Sequence, residues 1–197
     1  MIFHPTPLAG VYLIDIEAHG DARGFFARTV CLDEFARHGL ETGFIQQSIS
    51  WNPQQGTLRG MHYQLPPYQE IKLVRVTRGA IFDVIIDLRP ASLTFGHTYS
   101  VELSAQNRRQ LYIPAGLAHG FQSLLPDTEI LYQMNRPFHP GSARGLRWND
   151  PRLSIAWPDH QARLISQQDM GLPTFDELFP GTPTITNQPI PQLKGSL

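Results

Sequence analysis

The stretch from Leu58 to Val74, LRGMHYQLPPYQEIKLV, sets three cations, Arg59, His62 and Lys72, into segments that otherwise read as buried strand. Histidine ordinarily titrates near neutral pH, so His62 is a candidate general base. Such a base needs an acceptor to orient its ring, and Asp169, in ISQQDMG, is of the right type. Tyr132, in EILYQMN, can return a proton, and the compact charge of Lys72 can stabilise a developing enolate. Taken singly, a histidine or tyrosine in a strand more often packs and satisfies one hydrogen bond. Lys72 is harder to treat that way. Of 16 basic residues 14 are arginine, and the only other lysine is Lys194. With period-two alternation Lys72 shares a face with Val74 and Val76, and an inward lysine is costly unless paired or functional.

These residues are far apart in sequence, so only a fold can assemble them. Short apolar segments separated by turn residues recur along the chain: GVYLIDIEA, IKLVRV, AIFDVIIDL, HTYSVELS, RQLYIP and EILYQMN. Turn chemistry lies between them in RGA, RPAS, SAQN and PAG. The spacing predicts an all-β jelly roll with a few short helices, the best being CLDEFARHGL and a second near PTFDELF. Residues 1–180 read as one domain and 181–197, rich in Pro, Thr and Gln, as a flexible C-terminal tail. Within Leu58–Gln64, Arg59 and His62 have opposite parity. Both can face one pocket only if the strand bends, and Gly60 is the place for it.

Composition narrows the function classes. Among 197 residues 41% are hydrophobic and the net charge is −1 with no basic run, which argues against nucleic acid or anionic membrane as partner. Cys31 is the single cysteine, and the first residues carry no cationic region ahead of an apolar core, so a soluble cytoplasmic protein is expected. No Gly-x-Ser-x-Gly elbow and no Gly-rich phosphate loop is present.

A metal site is the competing chemistry. Gly56, His62 and PAGLAH (Pro114 to His119) resemble the pattern of the cupin superfamily, whose ligands are a His-x-His pair, a glutamate and a later histidine. Here Gln64 stands where the second histidine belongs, and Glu70 comes later than that spacing requires. An amide is a poor ligand for a transition metal, so no metal is expected.

DARGFF, LRGMHYQ, KLVRVTRGAIFDVIIDLRP, TFGHTYSVELS, YIPAGLAHGF, ILYQMN and WNDPRLSIAWP occur in this order. Together they resemble the dTDP-4-dehydrorhamnose 3,5-epimerase family from about Gly10 to Pro180. The resemblance implies a cupin-type jelly roll that acts as a homodimer without cofactor. The implied substrate is a nucleotide-linked 4-keto-6-deoxyhexose of a deoxysugar pathway, feeding surface polysaccharide or an antibiotic. Its ketone acidifies the hydrogens at C3 and C5, so a base on one face and an acid on the other invert a centre through an enolate. By resemblance His62 is the base, Asp169 its partner, Tyr132 the proton donor and Lys72 the cation near the enolate oxygen. Arg23, Phe26, Gln46, Arg59 and His119 are further substrate contacts, with Arg23 reaching the neighbouring subunit's site.

The departures fall at positions that serve the nucleotide in the family. Arg28 stands where glutamate is usual, Ser48 where asparagine is, Phe138 where tyrosine is, Ala143 where glutamate is and Gln168 where lysine is. The resemblance thus implies retained proton transfer with altered recognition. CDP- or GDP-linked sugars, or a branched or dideoxy dTDP sugar, stand beside dTDP-4-keto-6-deoxyglucose as substrates. Inversion at C3 only or C5 only, a sugar 3,4-ketoisomerase and a non-catalytic sugar-binding cupin remain the alternatives.

Overall fold

The computed structural model describes residues 1–159 and 164–183. Thirteen strands and three short helices make up the regular structure of the described residues. The strands are β1 (Ile2–Pro5), β2 (Tyr12–Asp15), β3 (Ala18–Asp21), β4 (Gly24–Ala27), β5 (Gln46–Asn52), β6 (Leu58–Gln64) and β7 (Lys72–Arg78). They continue as β8 (Ala80–Asp87), β9 (Thr98–Ser104), β10 (Gln110–Ile113), β11 (Leu117–Ser123), β12 (Thr128–Met134) and β13 (Ala143–Gly145). The helices are α1 (Leu32–Arg37), α2 (Gln167–Met170) and α3 (Phe175–Leu178).

A six-stranded sheet runs β1-β2-β10-β7-β12-β5 and a five-stranded sheet runs β13-β6-β11-β8-β9, with β3 and β4 as a separate hairpin. Strand pairing within these sheets is antiparallel. Alternation decides which face meets which. Leu13, Val74, Val76, Leu111 and Ile130 of one sheet meet Ile81, Ile85, Val101, Leu103 and Phe121 of the other in the central core. Each fully buried side chain of this size contributes about 1.5–3 kcal/mol. This is the jelly roll that the strand spacing predicted. The outer face of the five-stranded sheet is covered by the C-terminal segments through Leu146, Leu153, Trp157 and Phe175. The outer face of the other sheet carries α1 through Phe35.

Both helices expected from sequence are present, α1 within CLDEFARHGL and α3 within PTFDELF. Thr174 and Glu177 close a capping box at the start of α3. Of the proposed C-terminal tail, Arg152 binds the Thr182 and Pro183 carbonyls. Residues 184–197 lie outside the described residues.

Candidate active site

The sheets part at one end of the sandwich into a cleft of about 1060 Å³. Strand β5 supplies Gln46, Ser48 and Ser50 to it, β6 supplies Arg59 and His62, β7 Lys72, β11 His119 and β12 Tyr132. The other walls come from residues 136–145, which bring Arg136, Phe138, Ala143 and Arg144, and from the segment around α2, which brings Gln168 and Asp169.

Arg59 and His62 both line the cleft despite their opposite parity, because the β6–β11 register shifts between the pairs His62–His119 and Arg59–Phe121. Gly60 sits at this irregularity with φ of +126°, a value that L side chains rarely adopt. It also lies against Gly120, whose Cα would be 2.5 Å from a Cβ added at position 60. Two facing glycines thus let β6 bend and keep His62 directly opposite His119.

Asp169 reaches this bend from the far end of the chain. Leu58 N–H donates to the Leu164 carbonyl at 2.8 Å and lays the C-terminal segment beside β6. Ser166 then caps α2 by accepting from the Asp169 N–H at 3.0 Å, which turns the carboxylate inward. One carboxylate oxygen accepts from His62 Nε2 at 2.8 Å and the other from the Gly60 N–H at 3.2 Å. Burial alone would raise the Asp169 pKa. The hydrogen bond and charge of His62, with the Gly60 N–H and Ser166, outweigh it and hold the carboxyl below its ordinary value. With its Nε2 proton given to Asp169, His62 has the lone pair on Nδ1. The His62 side chain is 47% exposed, which leaves the ring accessible from the cleft.

The other ionisable groups of this inner end are also paired. Lys72 Nζ lies 3.0 Å from Glu70 Oε1, and both side chains are nearly buried. Lys72 shares the inward face of β7 with Val74 and Val76, the placement expected from alternation. His119 Nε2 lies 2.6 Å from Asp83 Oδ1 in a buried pair. The ring of His119 meets that of Tyr132 edge-on at 6.0 Å. Burial, with the charge of Asp83, pushes the Tyr132 hydroxyl far above its ordinary pKa, while the Arg59 charge works against that rise. Arg59 Nε itself donates to Asn52 Oδ1 at 2.9 Å.

The cleft therefore gathers His62, Asp169, Tyr132, Lys72, Arg59, His119, Gln46, Ser48 and Phe138 from the sequence-derived set. Arg23, Phe26 and Arg28 are not among its walls. Arg23 and Phe26 belong to the β3–β4 hairpin, with Phe26 79% exposed and Arg23 bound to Asp21. Arg28 pairs with Glu34 of α1 at 3.2 Å. Sequence reasoning missed three neighbours of the proposed catalytic groups. Glu70 is the partner of Lys72, Asp83 is the partner of His119, and Gln64 binds Glu70. An aspartate inside the apolar run AIFDVIIDL was the available signal for Asp83, since a buried carboxylate requires a partner.

A family profile described as dTDP-4-dehydrorhamnose 3,5-epimerase matches residues 5–177. A relative from Sinorhizobium fredii, named dTDP-4-dehydrorhamnose 3,5-epimerase, is 42% identical over 178 residues, covering 90% of this chain and 91% of its own. The crystal structure of the dTDP-4-dehydrorhamnose 3,5-epimerase from Elizabethkingia anophelis superposes with a TM-score of 0.87 at 36% identity, over 90% of this chain and 97% of that one. The Bacillus anthracis enzyme of the same name, with TDP and PPi bound, gives 0.85 at 36% identity, over 88% and 98% of the two chains.

Proposed function

The chain belongs to the dTDP-4-dehydrorhamnose 3,5-epimerase family, and from that premise we propose that its cleft epimerises a nucleotide-linked 4-keto-6-deoxyhexose through an enolate. The observation that carries this reading is the assembly of the His62–Asp169 dyad, Lys72 and Tyr132 on the walls of one cleft.

His62 Nδ1 takes the proton from the carbon beside the ketone, and the imidazolium that forms is stabilised by the Asp169 carboxylate. The electron pair left behind moves onto the ketone oxygen, where the Lys72 ammonium offsets the charge. Tyr132 holds its proton firmly until the enolate carbon takes it on the opposite face. Arg59, whose charge favours the tyrosinate, stabilises the product of that step. Proton exchange with solvent then resets His62 and Tyr132.

The nucleotide falls to the outer part of the cleft in this reading. Phe138, 68% exposed, offers a ring for a base to stack on, and Arg136 and Arg144 offer positive charge to phosphates. We infer that the chain pairs with a second copy of itself. Ile49 and Trp51 on β5, the last strand of its sheet, and Ile45 just before it are more than half exposed, and Phe25 and Phe26 are exposed on the hairpin. In a homodimer the hairpin would carry Arg23 and Phe26 to the other subunit. Sedimentation should then give twice the chain mass, and a monomer would remove that part of the reading.

The deciding experiment is incubation with dTDP-4-keto-6-deoxyglucose in deuterated water, read by NMR. Deuterium at C3 and C5 identifies a double epimerase, and label at one carbon a single one. Absence of label with dTDP-, CDP- and GDP-linked 4-keto sugars alike would overturn the reading.

A further inference from the structure

Gln64, at the end of β6, is 5% exposed, and its amide is engaged on both sides. Its nitrogen lies within hydrogen-bond distance of the Glu70 carboxylate, of the Tyr68 carbonyl at 2.9 Å and of the Pro137 carbonyl at 3.3 Å. Its oxygen accepts from the His139 N–H at 2.6 Å. Two different structures meet here. One is the ion pair in which Glu70 holds Lys72 at 3.0 Å. The other is the loop between β12 and β13, whose residue Phe138 lies between the two loop residues that Gln64 binds. The contact is reinforced by Tyr68 stacking on His139, with centroids 3.8 Å apart and planes within 7°.

A buried amide with this many partners could serve packing alone. Glu70 argues for more. Its second oxygen is the one that holds Lys72, so the orientation of the carboxylate fixes where the ammonium points. Losing the Gln64 amide frees that carboxylate to rotate and take Lys72 with it. The same loss releases the Pro137 and His139 backbone groups on either side of Phe138.

We propose that Gln64 is a positioning residue that sets Lys72 through Glu70 and, with the same amide, fixes the Phe138 loop, so that one side chain aligns both the enolate end and the nucleotide end of the cleft. The proposal rests on the functional reading above, in which Lys72 faces the enolate oxygen and Phe138 the base.

Two variants separate positioning from packing. Gln64→Leu, close in volume, should lower kcat for deuterium exchange at least tenfold and raise the Kd for dTDP at least threefold. Glu70→Gln keeps a side chain of the same shape but removes the ion pair with Lys72. It should lower kcat at least tenfold while dTDP binds within twofold of the native Kd. Should Gln64→Leu fail to fold, the kcat-against-Kd split of Glu70→Gln decides. Native kcat in either folded variant, native dTDP affinity in folded Gln64→Leu, or weakened dTDP binding in Glu70→Gln overturns the proposal. Absence of exchange in the native protein would instead remove the functional reading, and this inference with it.

Discussion

At the inner end of the cleft three pairs of ionisable groups form, His62 with Asp169, Lys72 with Glu70 and His119 with Asp83, while Arg59 is held by the neutral Asn52. At its rim Arg136 and Arg144 are exposed and make no ion pair with a carboxylate among the described residues, and Phe138 stands mostly in solvent. The inner groups lie on or against strands β6, β7, β8 and β11. The outer ones lie on a loop and the short β13. The difference has a physical logic. A proton moved in the wrong place costs the reaction, and in the proposed reading the base His62 is held in advance by Asp169 while Tyr132 is carried on strand β12. A nucleotide brings its own charges, and Arg136 on the loop and Arg144 on β13, without an ion-pair carboxylate among the described residues, leave those charges as the partner.

The contrast can be broken by separating kcat from binding. Tyr132→Phe should lower kcat for inversion by about 10²–10⁴-fold, with dTDP affinity unchanged, in a product assay alongside calorimetry. Asp169→Asn should cost about 10²-fold, again in kcat, because an amide can present its N–H to His62 and favours the wrong tautomer. At the rim the pattern should reverse. Phe138→Ala should weaken dTDP binding by about 1–3 kcal/mol with little change in kcat for bound substrate, as loss of a stacking ring does. Arg136→Gln should weaken it by less than about 1 kcal/mol and flatten its dependence on salt. A rim substitution that lowers kcat as Tyr132→Phe does would erase the distinction.

The inner end should also reveal itself in stability. The Asp169 pKa is lowered in the fold, so its contribution is complete above the ordinary aspartate value of about 3.9. It is lost as pH falls through the lowered folded value. Denaturant unfolding of Asp169→Asn should therefore vary less with pH below about 4 than that of the native protein. An identical acid dependence would show that the dyad does not hold its carboxylate as described.

Much of the inner end was legible because buried charge is conspicuous in a strand. Lys72 in IKLVRV stood out by alternation and as the one lysine ahead of Lys194, and its inward face is the observed one. The Arg59–His62 conflict foretold an irregularity at Gly60, which the register shift supplies. Partners were less legible. Glu70 was weighed against metal-ligand spacing and not seen as the partner of Lys72, since two residues apart in a loop fixes no geometry. Strand β5 also escaped, because its pattern is reversed. Gln46, Ser48 and Ser50 line the cleft, together with part of Ile49, and the apolar Ile49 and Trp51 are more than half exposed. A strand bordering a polar cleft on one side and, by the present reading, a second subunit on the other hides its polarity from any rule that expects apolar residues inside. The hairpin bearing Arg23 and Phe26 has the same character, since its Phe25 and Phe26 stand exposed with only Arg108 lying over the Phe25 ring among the described residues.

The most direct test is deuterium wash-in by His62→Ala, compared with the native protein on the same 4-keto sugar nucleotide. If His62 is the base set by Asp169, the native protein labels the carbon it inverts and the variant labels neither C3 nor C5 above the uncatalysed rate. Incorporation by His62→Ala at the native rate would contradict the assignment and place the base elsewhere in the cleft.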